Sequence, residues 1–209
     1  MPRQAIQTHA KAIGVPNLLH FTRAVNLPSI MTHGLYPIAR IAEIGATPAV
    51  NDELRLDGHR DSTSLSIGFP NSRMFYKYRQ DNPGVDWVVL GIHPKVLWTK
   101  ECAFCRHNAA DARISRQDLA TLKTAEAFAG VFDEIEGNDS RQQQKLRAYD
   151  PTDVQAEVLV FDVVEPDLVI GAVFETEAVK HAHAGHLGTR QILVNSPNKG
   201  YFAARSYVR

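Results

Sequence analysis

The fold of this chain depends on one stretch, Asp150-Pro151-Thr152-Asp153-Val154-Gln155-Ala156-Glu157-Val158-Leu159-Val160-Phe161, which is followed by Pro166-Asp167-Leu168-Val169-Ile170 after an acidic turn. A Pro-Thr-Asp turn leads into β-branched and apolar residues at positions 158–164, a composition that predicts a buried strand. Glu157 lies at the mouth of that strand. Burying a carboxylate is costly unless another group pairs with it or the protein uses it. The ordinary interpretation is a glutamate that faces water at the start of a strand.

A second stretch changes that interpretation. Asn17-Leu18-Leu19-His20-Phe21-Thr22 also places a polar residue, His20, inside an apolar strand. Two polar positions at strand ends, far apart in the sequence and each predicted to be buried, indicate a shared cleft.

The bulk composition is that of an ordinary globular protein. The chain has 209 residues, of which 44% are hydrophobic and 22% charged, and this length suits one domain with an ample core. No apolar run approaches the roughly 20 residues of a membrane span, and residues 1–14 lack the apolar centre of a signal peptide. Because two cysteines are too few for a disulfide framework, we expect a cytoplasmic protein.

The charge is balanced overall but unevenly distributed. The formal net charge is zero, yet no acidic residue follows Glu177, so the last 32 residues carry +5 and the rest −5. Tyr201, Phe202 and Tyr207 are interleaved with these basic residues. A solvated basic segment is the ordinary explanation, but cations mixed with aromatic rings also suit single-stranded nucleic acid. The residues predicted to contact DNA are Arg190, Lys199 and Arg205.

Apolar periodicity and capping signals predict one α+β domain over residues 1–209. Asn26 is the predicted cap of the first helix and Thr124 of the fourth. Residues 36–58 have poor periodicity and predict a loop, with one helical turn near 51–54. The predicted strands are residues 18–22, 63–67, 87–92, 158–164, further strands within 161–170, and 191–194. The predicted helices are residues 27–33, 72–79, 115–122, 125–135 and 175–184.

Common catalytic and metal signatures are absent from the sequence. It contains no P-loop, no GxGxxG, no GxSxG and no HExxH. Cys102 and Cys105 have the spacing of half a zinc site, but no second Cys-x-x-Cys follows, which favours two reduced cysteines packed in a turn. On a helix, His181 and His183 point apart. We therefore predict no metal site.

Several stretches, taken in order, resemble the DarT family of DNA ADP-ribosyltransferase toxins. The first pair is the strand with His-Phe-Thr and the segment Asn26-Leu27-Pro28-Ser29-Ile30. Asn108-Ala109-Ala110 and Gln155-Ala156-Glu157-Val158 complete the pattern. Together these matches cover most of residues 18–170.

The resemblance implies the ADP-ribosyltransferase fold, a split antiparallel β-sandwich that holds NAD in its central cleft. Glu157 would be catalytic, and Arg55 would align the acceptor or hold the NAD diphosphate, a role that Arg60 could take instead. The remaining residues that the resemblance assigns to NAD binding are His20, Thr22, Asn26, Met74, Phe75 and Tyr76. NAD would be a substrate, and no metal is implied.

The resemblance also implies a substrate and a partner. Ser64-Leu65-Ser66-Ile67 is similar to the branch that modifies guanine, so the predicted acceptor is a guanine in single-stranded DNA. The chain would be the toxin of a toxin–antitoxin pair, and its antitoxin would be a hydrolase that removes the ADP-ribose. Two alternatives remain: an ADP-ribosyltransferase that acts on protein or RNA, and an inactive module that binds single-stranded nucleic acid.

Overall fold

A computed structural model describes residues 2–49 and 58–209 of the chain. The predicted helical turn near residues 51–54 lies outside these ranges. The helices are α1 Pro2–Ala12, α2 Leu27–His33, α3 Ser72–Asp81, α4 Val96–Thr99, α5 Ala112–Ser115, α6 Leu119–Leu122, α7 Ala125–Gly130 and α8 Glu177–His183. The strands are β1 Leu18–Arg23, β2 Thr63–Ile67, β3 Trp87–Ile92, β4 Cys102–Cys105, β5 Glu157–Val160, β6 Val169–Phe174 and β7 Gln191–Val194. The 3-10 helices are Ala24–Asn26, Ile38–Ile44, Pro166–Leu168, Ala184–Leu187 and Arg205–Tyr207.

The described strands form one mixed sheet in the order β4-β5-β2-β1-β3-β6-β7. Neighbouring strands are antiparallel except β6 and β7, which are parallel. A parallel pair needs a crossover connection, and here α8 with its following 3-10 turn supplies one. The predicted α+β class is confirmed.

The sheet divides between β1 and β2. β1 pairs with β3 along its whole length, but it pairs with β2 at only two positions, Leu18 with Ile67 and Leu19 with Ser66. Beyond Leu19, β2 leaves β1 and pairs with β5 instead. The two halves of the sheet therefore separate at His20 and open a cleft between them.

Apolar side chains on one face of the sheet hold the two halves together. Leu18, Leu65 and Phe104 come from three different strands and pack in one cluster with Phe128 of α7; each is at most 1% exposed. Burying a side chain of this size stabilises the fold by about 1.5–3 kcal/mol relative to exposure. The cleft therefore lies between two halves of the sheet that a buried apolar cluster holds together.

Helix boundaries in the middle of the chain differ from the prediction because the capping side chains differ. Residues 115–122 were predicted as one helix capped by Ser115, but Ser115 ends α5. Asp111 and Asp118 cap α5 and α6 by accepting bonds from the backbone N–H groups of Arg113 and Ala120. A short aspartate accepts such bonds as well as serine does, so the predicted start was wrong.

Other elements end earlier than predicted. α7 ends at Gly130 and not at residue 135, although Thr124 caps it as expected. β5 ends at Val160, and Val164 forms an isolated bridge with Leu35. Residues 102–105, predicted to lie in a turn, form a fully buried edge strand.

Candidate active site

The cleft contains a cavity of about 560 Å³. This is within the range of roughly 300–1,000 Å³ usual for small-molecule sites. β1 and β2 form its floor, and α3 and the 3-10 helix Ile38–Ile44 form two of its walls. His20 and Glu157, the two polar positions at strand ends, both line it. The predicted shared cleft therefore exists.

One wall is apolar and only half covered. Ile38, Ile41 and Ile44 recur every third residue and all line the cavity. A 3-10 helix has three residues per turn, so side chains at this spacing lie above one another. Each of the three is half-buried, which leaves apolar surface for a ligand to cover. The predicted loop over residues 36–58 therefore contains an ordered binding wall.

Glu157 is held by a neighbouring amide. Its side chain is buried, and its Oε1 accepts a bond of 2.9 Å from Nδ2 of Asn108. Oδ1 of Asn108 accepts from the backbone N–H of Ala110, which fixes the orientation of the amide. Ser66 follows Leu65, the residue opposite Val158, and therefore lies beside Glu157 at the end of the paired strands.

A hydrogen bond between His107 and Asp153 helps to fix Asn108 relative to Glu157. Nδ1 of His107 lies 2.8 Å from Oδ2 of Asp153, and the two side chains are 7% and 15% exposed. Oδ1 of Asp153 accepts from the backbone N–H of Gln155. These bonds tie the loop after β4 to the turn before β5. The geometry therefore indicates that Asn108 and His107 help to position Glu157. The sequence did carry a signal for these residues, the Asn108-Ala109-Ala110 stretch that forms part of the family resemblance.

Arginines pin the turn that precedes Glu157. Arg205 is 6% exposed and donates to the carbonyl oxygens of Pro151 and Thr152. Burial lowers the pKa of Arg205 to about 10. Arg141 donates to the carbonyl oxygen of Asp150 and to the Thr152 hydroxyl. These bonds give Arg205 a structural role, and its contact with DNA stays a prediction.

Arg190 is also engaged by the chain itself. Its guanidinium donates to the carbonyl oxygens of Val169, Leu187 and Pro166. These bonds close the crossover between β6 and β7, so they give a structural reason for this arginine. Lys199 is exposed, and its contact with DNA stays a prediction.

The predicted NAD residues on β1 and α2 play different parts. Nδ1 of His20 donates to the carbonyl oxygen of Ser64 across the split, at 3.0 Å; in a neutral imidazole this makes Nε2 the acceptor nitrogen. Thr22 is buried outside the cavity lining and accepts a bond from Asn26. Asn26 lines the cavity but makes no capping bond, because its amide exchanges two bonds with the backbone of Ala49.

On α3, the helix face that lines the cavity differs from the predicted one. Met74 lines the cavity, but Phe75 is 1% exposed and packs among other aromatic rings, and Tyr76 is 59% exposed outside the cavity lining. Arg73 and Lys77 line the cavity instead. Residues three and four apart share a helix face, whereas the predicted triplet 74–76 spans more than one.

The cavity also contains polar atoms that lack a partner. Nδ2 of Asn71 and Oγ1 of Thr63 are buried and make no hydrogen bond within the described ranges. Leaving such atoms unpaired typically costs about 1–3 kcal/mol. Arg55 lies outside the described residues, and Arg60 is exposed.

Three further features concern metals, thiols and membranes. Residues 2–49 and 58–209 contain no group of three or more His, Cys, Asp or Glu side chains able to hold a metal ion. Cys102 and Cys105 are buried and form no disulfide, and burial raises the pKa of Cys102 to about 12. No helix in those two ranges is long and apolar enough to cross a membrane.

A family model described as "DarT: ssDNA thymidine ADP-ribosyltransferase, DarT" matches residues 19–202. This chain belongs to the DarT family. A search of curated protein sequences found no match. The DarT match spans both halves of the split sheet, from β1 to the segment after β7.

Solved DarT structures share the fold at low sequence identity. Thermosipho africanus DarTG in complex with ADP-ribose has a TM-score of 0.55 and 15% identity, with 89% of this chain and 50% of that chain covered. Thermus sp. 2.9 DarT in complex with NAD+ gives 0.54 and 14%, with 87% and 96% covered. The same DarT in complex with ADP-ribosylated ssDNA gives 0.56 and 13%, with 87% and 95% covered. The present chain thus spans half the length of the DarTG chain.

The predicted ADP-ribosyltransferase fold and enzyme class are confirmed, although the described strands form one split, mixed sheet with a parallel β6–β7 pair and not a wholly antiparallel sandwich. As a DarT protein, the chain is an ADP-ribosyltransferase of a family that acts on single-stranded DNA. The cleft between β1 and β2, with Glu157 on one side and His20 on the other, is its candidate active site.

Proposed function

We propose that this DarT protein cleaves NAD in the split of its sheet and transfers the ADP-ribose to a base of single-stranded DNA. The observation that carries the proposal is the buried Glu157 carboxylate, oriented by Asn108 in a largely apolar cavity that also contains His20. DarT structures solved with NAD+ and with ADP-ribosylated ssDNA support both substrates.

The described residues fit NAD as a substrate. Arg73 and Lys77 place positive charge at the cavity, which attracts anionic substrates. We propose that Arg55 aligns the acceptor or the diphosphate, and that His20 anchors a ribose hydroxyl or the carboxamide.

The chemistry follows from the carboxylate. As the bond between nicotinamide and ribose breaks, nicotinamide departs with the bonding electron pair and positive charge develops on the sugar. A fixed carboxylate in a low-dielectric cleft stabilises that charge. A nitrogen of the base then forms the new bond to the same ribose carbon, and its proton passes to Glu157 acting as general base.

Substituting Asn108 by alanine is expected to lower kcat roughly 10- to 100-fold, because a hydrogen bond to a charged group contributes about 1.5–3 kcal/mol. The KM for NAD and the melting temperature are expected to change little, since Asn108 acts by orienting Glu157. Steady-state nicotinamide release measures both parameters. Asn108→Gln tests geometry, because it keeps the donor but moves it, and it should not restore kcat. A rise in KM alone would make Asn108 a simple NAD contact.

We propose guanine as the modified base, although the family description specifies thymidine. The Ser64-Leu65-Ser66-Ile67 stretch supports this choice, and both of its serines line the cavity. A hydroxyl both donates and accepts, which suits a guanine edge with a carbonyl beside N–H donors. Single-stranded DNA suits the site because a base within a duplex is out of reach.

Oligonucleotides with a single guanine, a single thymine or neither decide the base. After incubation with enzyme and NAD, mass spectrometry is expected to show a gain of one ADP-ribose on the guanine strand alone. A gain on the thymine strand alone would replace guanine by thymine and keep the mechanism. Label on protein or RNA, with none on DNA, would reject the DNA proposal. Binding of DNA without NAD consumption would indicate an inactive module.

We further propose that the protein works as the toxin of a toxin–antitoxin pair in the cytoplasm. The DarTG structure solved with ADP-ribose supports this pairing. The partner would be a hydrolase that removes ADP-ribose from DNA. Co-expression of such a hydrolase should relieve growth arrest caused by the active enzyme, and an inactive hydrolase should not.

A further inference from the structure

We propose that single-stranded DNA is received on the exposed face of α3 beside the cavity, where Tyr76 stacks against a base and Arg73 and Lys77 contact phosphates. This inference rests on the proposed function, because it takes single-stranded DNA as the acceptor. It also moves the DNA contact away from the basic C-terminal segment.

The spacing of these residues places them together. Tyr76 and Lys77 lie three and four residues after Arg73, so all three share one side of the helix. All three side chains are exposed, and Tyr76 keeps 59% of its surface accessible. Arg73 and Lys77 also line the cavity. Side chains that line a cavity and remain exposed lie at its rim, so this face borders the entrance to Glu157.

The opposite side of α3 fixes the helix in place. Phe75 is stacked on Phe21 with ring centroids 4.6 Å apart, and it also contacts Trp87 and Phe202. Arg79 packs over Phe75 and donates to the carbonyl oxygen of Phe202. A helix anchored in this way presents Tyr76 on a rigid support, which lowers the entropic cost of binding.

The chemistry of this face matches a single strand of nucleic acid. An exposed aromatic ring stacks with any base, and neighbouring cations follow the phosphates. On α3, Arg79 is paired with Glu175, which leaves Arg73 and Lys77 as the cations of the exposed face. A lone exposed tyrosine would need no explanation. It is the combination with two cations at the cavity rim that indicates a strand-binding surface.

The C-terminal segment is less suited to bind single-stranded DNA than the exposed face of α3. Arg190 and Arg205 are bound to backbone carbonyl oxygens of the chain. Lys199 and Tyr207 are exposed but lie outside the cavity lining. Variants at these two positions therefore distinguish DNA binding on α3 from DNA binding on the C-terminal segment.

Fluorescence anisotropy with a labelled oligonucleotide, in the absence of NAD, tests the surface. Tyr76→Ala is expected to weaken binding at least about fivefold, as loss of one stacked base does, and Tyr76→Phe should restore it. The double variant Arg73→Gln/Lys77→Gln should flatten the dependence of log affinity on log salt by about 0.7 for each charge. Tyr207→Ala and Lys199→Gln should bind like the unaltered protein.

Three outcomes would overturn the inference. One is unaltered binding by Tyr76→Ala. Another is equal loss in Tyr76→Phe and Tyr76→Ala, and the third is a larger loss in Tyr207→Ala or Lys199→Gln than in the α3 variants. Calorimetric titration of Tyr76→Ala with NAD should give the same affinity as the unaltered protein. If the unaltered protein modifies DNA while the α3 variants bind normally, only this inference fails; if it modifies no DNA, the proposed function fails.

Discussion

Replacing Glu157 by glutamine is expected to reduce ADP-ribose transfer roughly 100- to 1,000-fold, the usual effect of removing one electrostatic stabiliser of a transition state. Glutamine keeps the shape of the side chain, and its Oε1 can still accept the bond from Asn108. The substitution therefore removes the negative charge and little else. Because Glu157 lies in a cleft and contributes no apolar contact to the core, the fold should persist.

The measurements are the initial rate of nicotinamide release and the mass of the DNA product. Glu177→Gln is the matched control, because the same substitution is made at a carboxylate that is 75% exposed on α8. Its activity should equal that of the unaltered protein, and both variants should melt at nearly the same temperature. Near-full activity in Glu157→Gln would reject the catalytic assignment. Loss of activity together with a large fall in melting temperature would assign Glu157 a structural role.

Of all the elements, three strands were predicted best from local sequence. Residues 63–67, 87–92 and 191–194 were predicted with the observed bounds, because β-branched runs between turn residues have few alternative conformations. β4 was not predicted, because two cysteines three residues apart are typical of a metal-binding or redox turn. The segment Cys102–Cys105 is as buried as any strand of the core, and free cysteine behaves as a small apolar residue.

The sequence predicted the two polar residues of the site, His20 and Glu157, but not the residues that form its walls. His20 and Glu157 stand out because each interrupts an apolar strand. Whether Met74 or Phe75 faces the cavity depends on long-range packing, since Phe75 contacts Phe21 and Phe202, which are distant in sequence. No local pattern specifies that choice. Isoleucines at every third position of residues 38–44 did carry a local signal, for a 3-10 helix, which a search for 3.6- and 2-residue periods does not detect.

The structural roles of Arg190 and Arg205 could not be predicted from local sequence either. A basic segment that contains aromatic residues is typical of nucleic-acid binding, but sequence does not show which carbonyl groups a folded chain leaves without donors. The turn before β5 presents the carbonyl oxygens of Pro151 and Thr152 in a buried position, and Arg205 satisfies them. Buried polar atoms need partners, and here residues more than 50 positions away supply them.

Breaking the ion pair between Asp150 and Arg209 is expected to lower the free energy of unfolding by roughly 3–5 kcal/mol, because it leaves an unpaired charge in the interior. The two side chains are 0% and 6% exposed, and the guanidinium contacts both carboxylate oxygens, at 2.5 and 2.7 Å. Arg209→Met also removes the guanidinium that lies over the Phe69 ring, so the variant reports on the lost charge together with this ring contact. At about 2–4 °C per kcal/mol for a chain of this size, the melting temperature should fall by roughly 6–20 °C.

A double-mutant cycle separates the pair from its surroundings. Asp150→Asn retains an oxygen for the bond from the backbone N–H of Arg147 but leaves Arg209 unpaired. The double variant Asp150→Asn/Arg209→Met removes both charges and should be more stable than the sum of the two single effects predicts. Arg40→Met is the control, because Arg40 and Glu43 form the same two-bond pair with side chains 40% and 49% exposed. Its unfolding should be essentially unchanged, since exposed pairs contribute little.

The same ion pair links stability to catalysis. Asp150 begins the turn that leads to Glu157, so a looser turn should misplace the carboxylate and lower kcat even at temperatures where Arg209→Met is folded. Nicotinamide release well below the melting temperature of the variant measures this effect. Normal kcat together with the expected loss of stability would confine the pair to a structural role. Strictly additive single effects in the cycle would show that the two side chains are not coupled, and would remove the C-terminal arginine from the support of the active site.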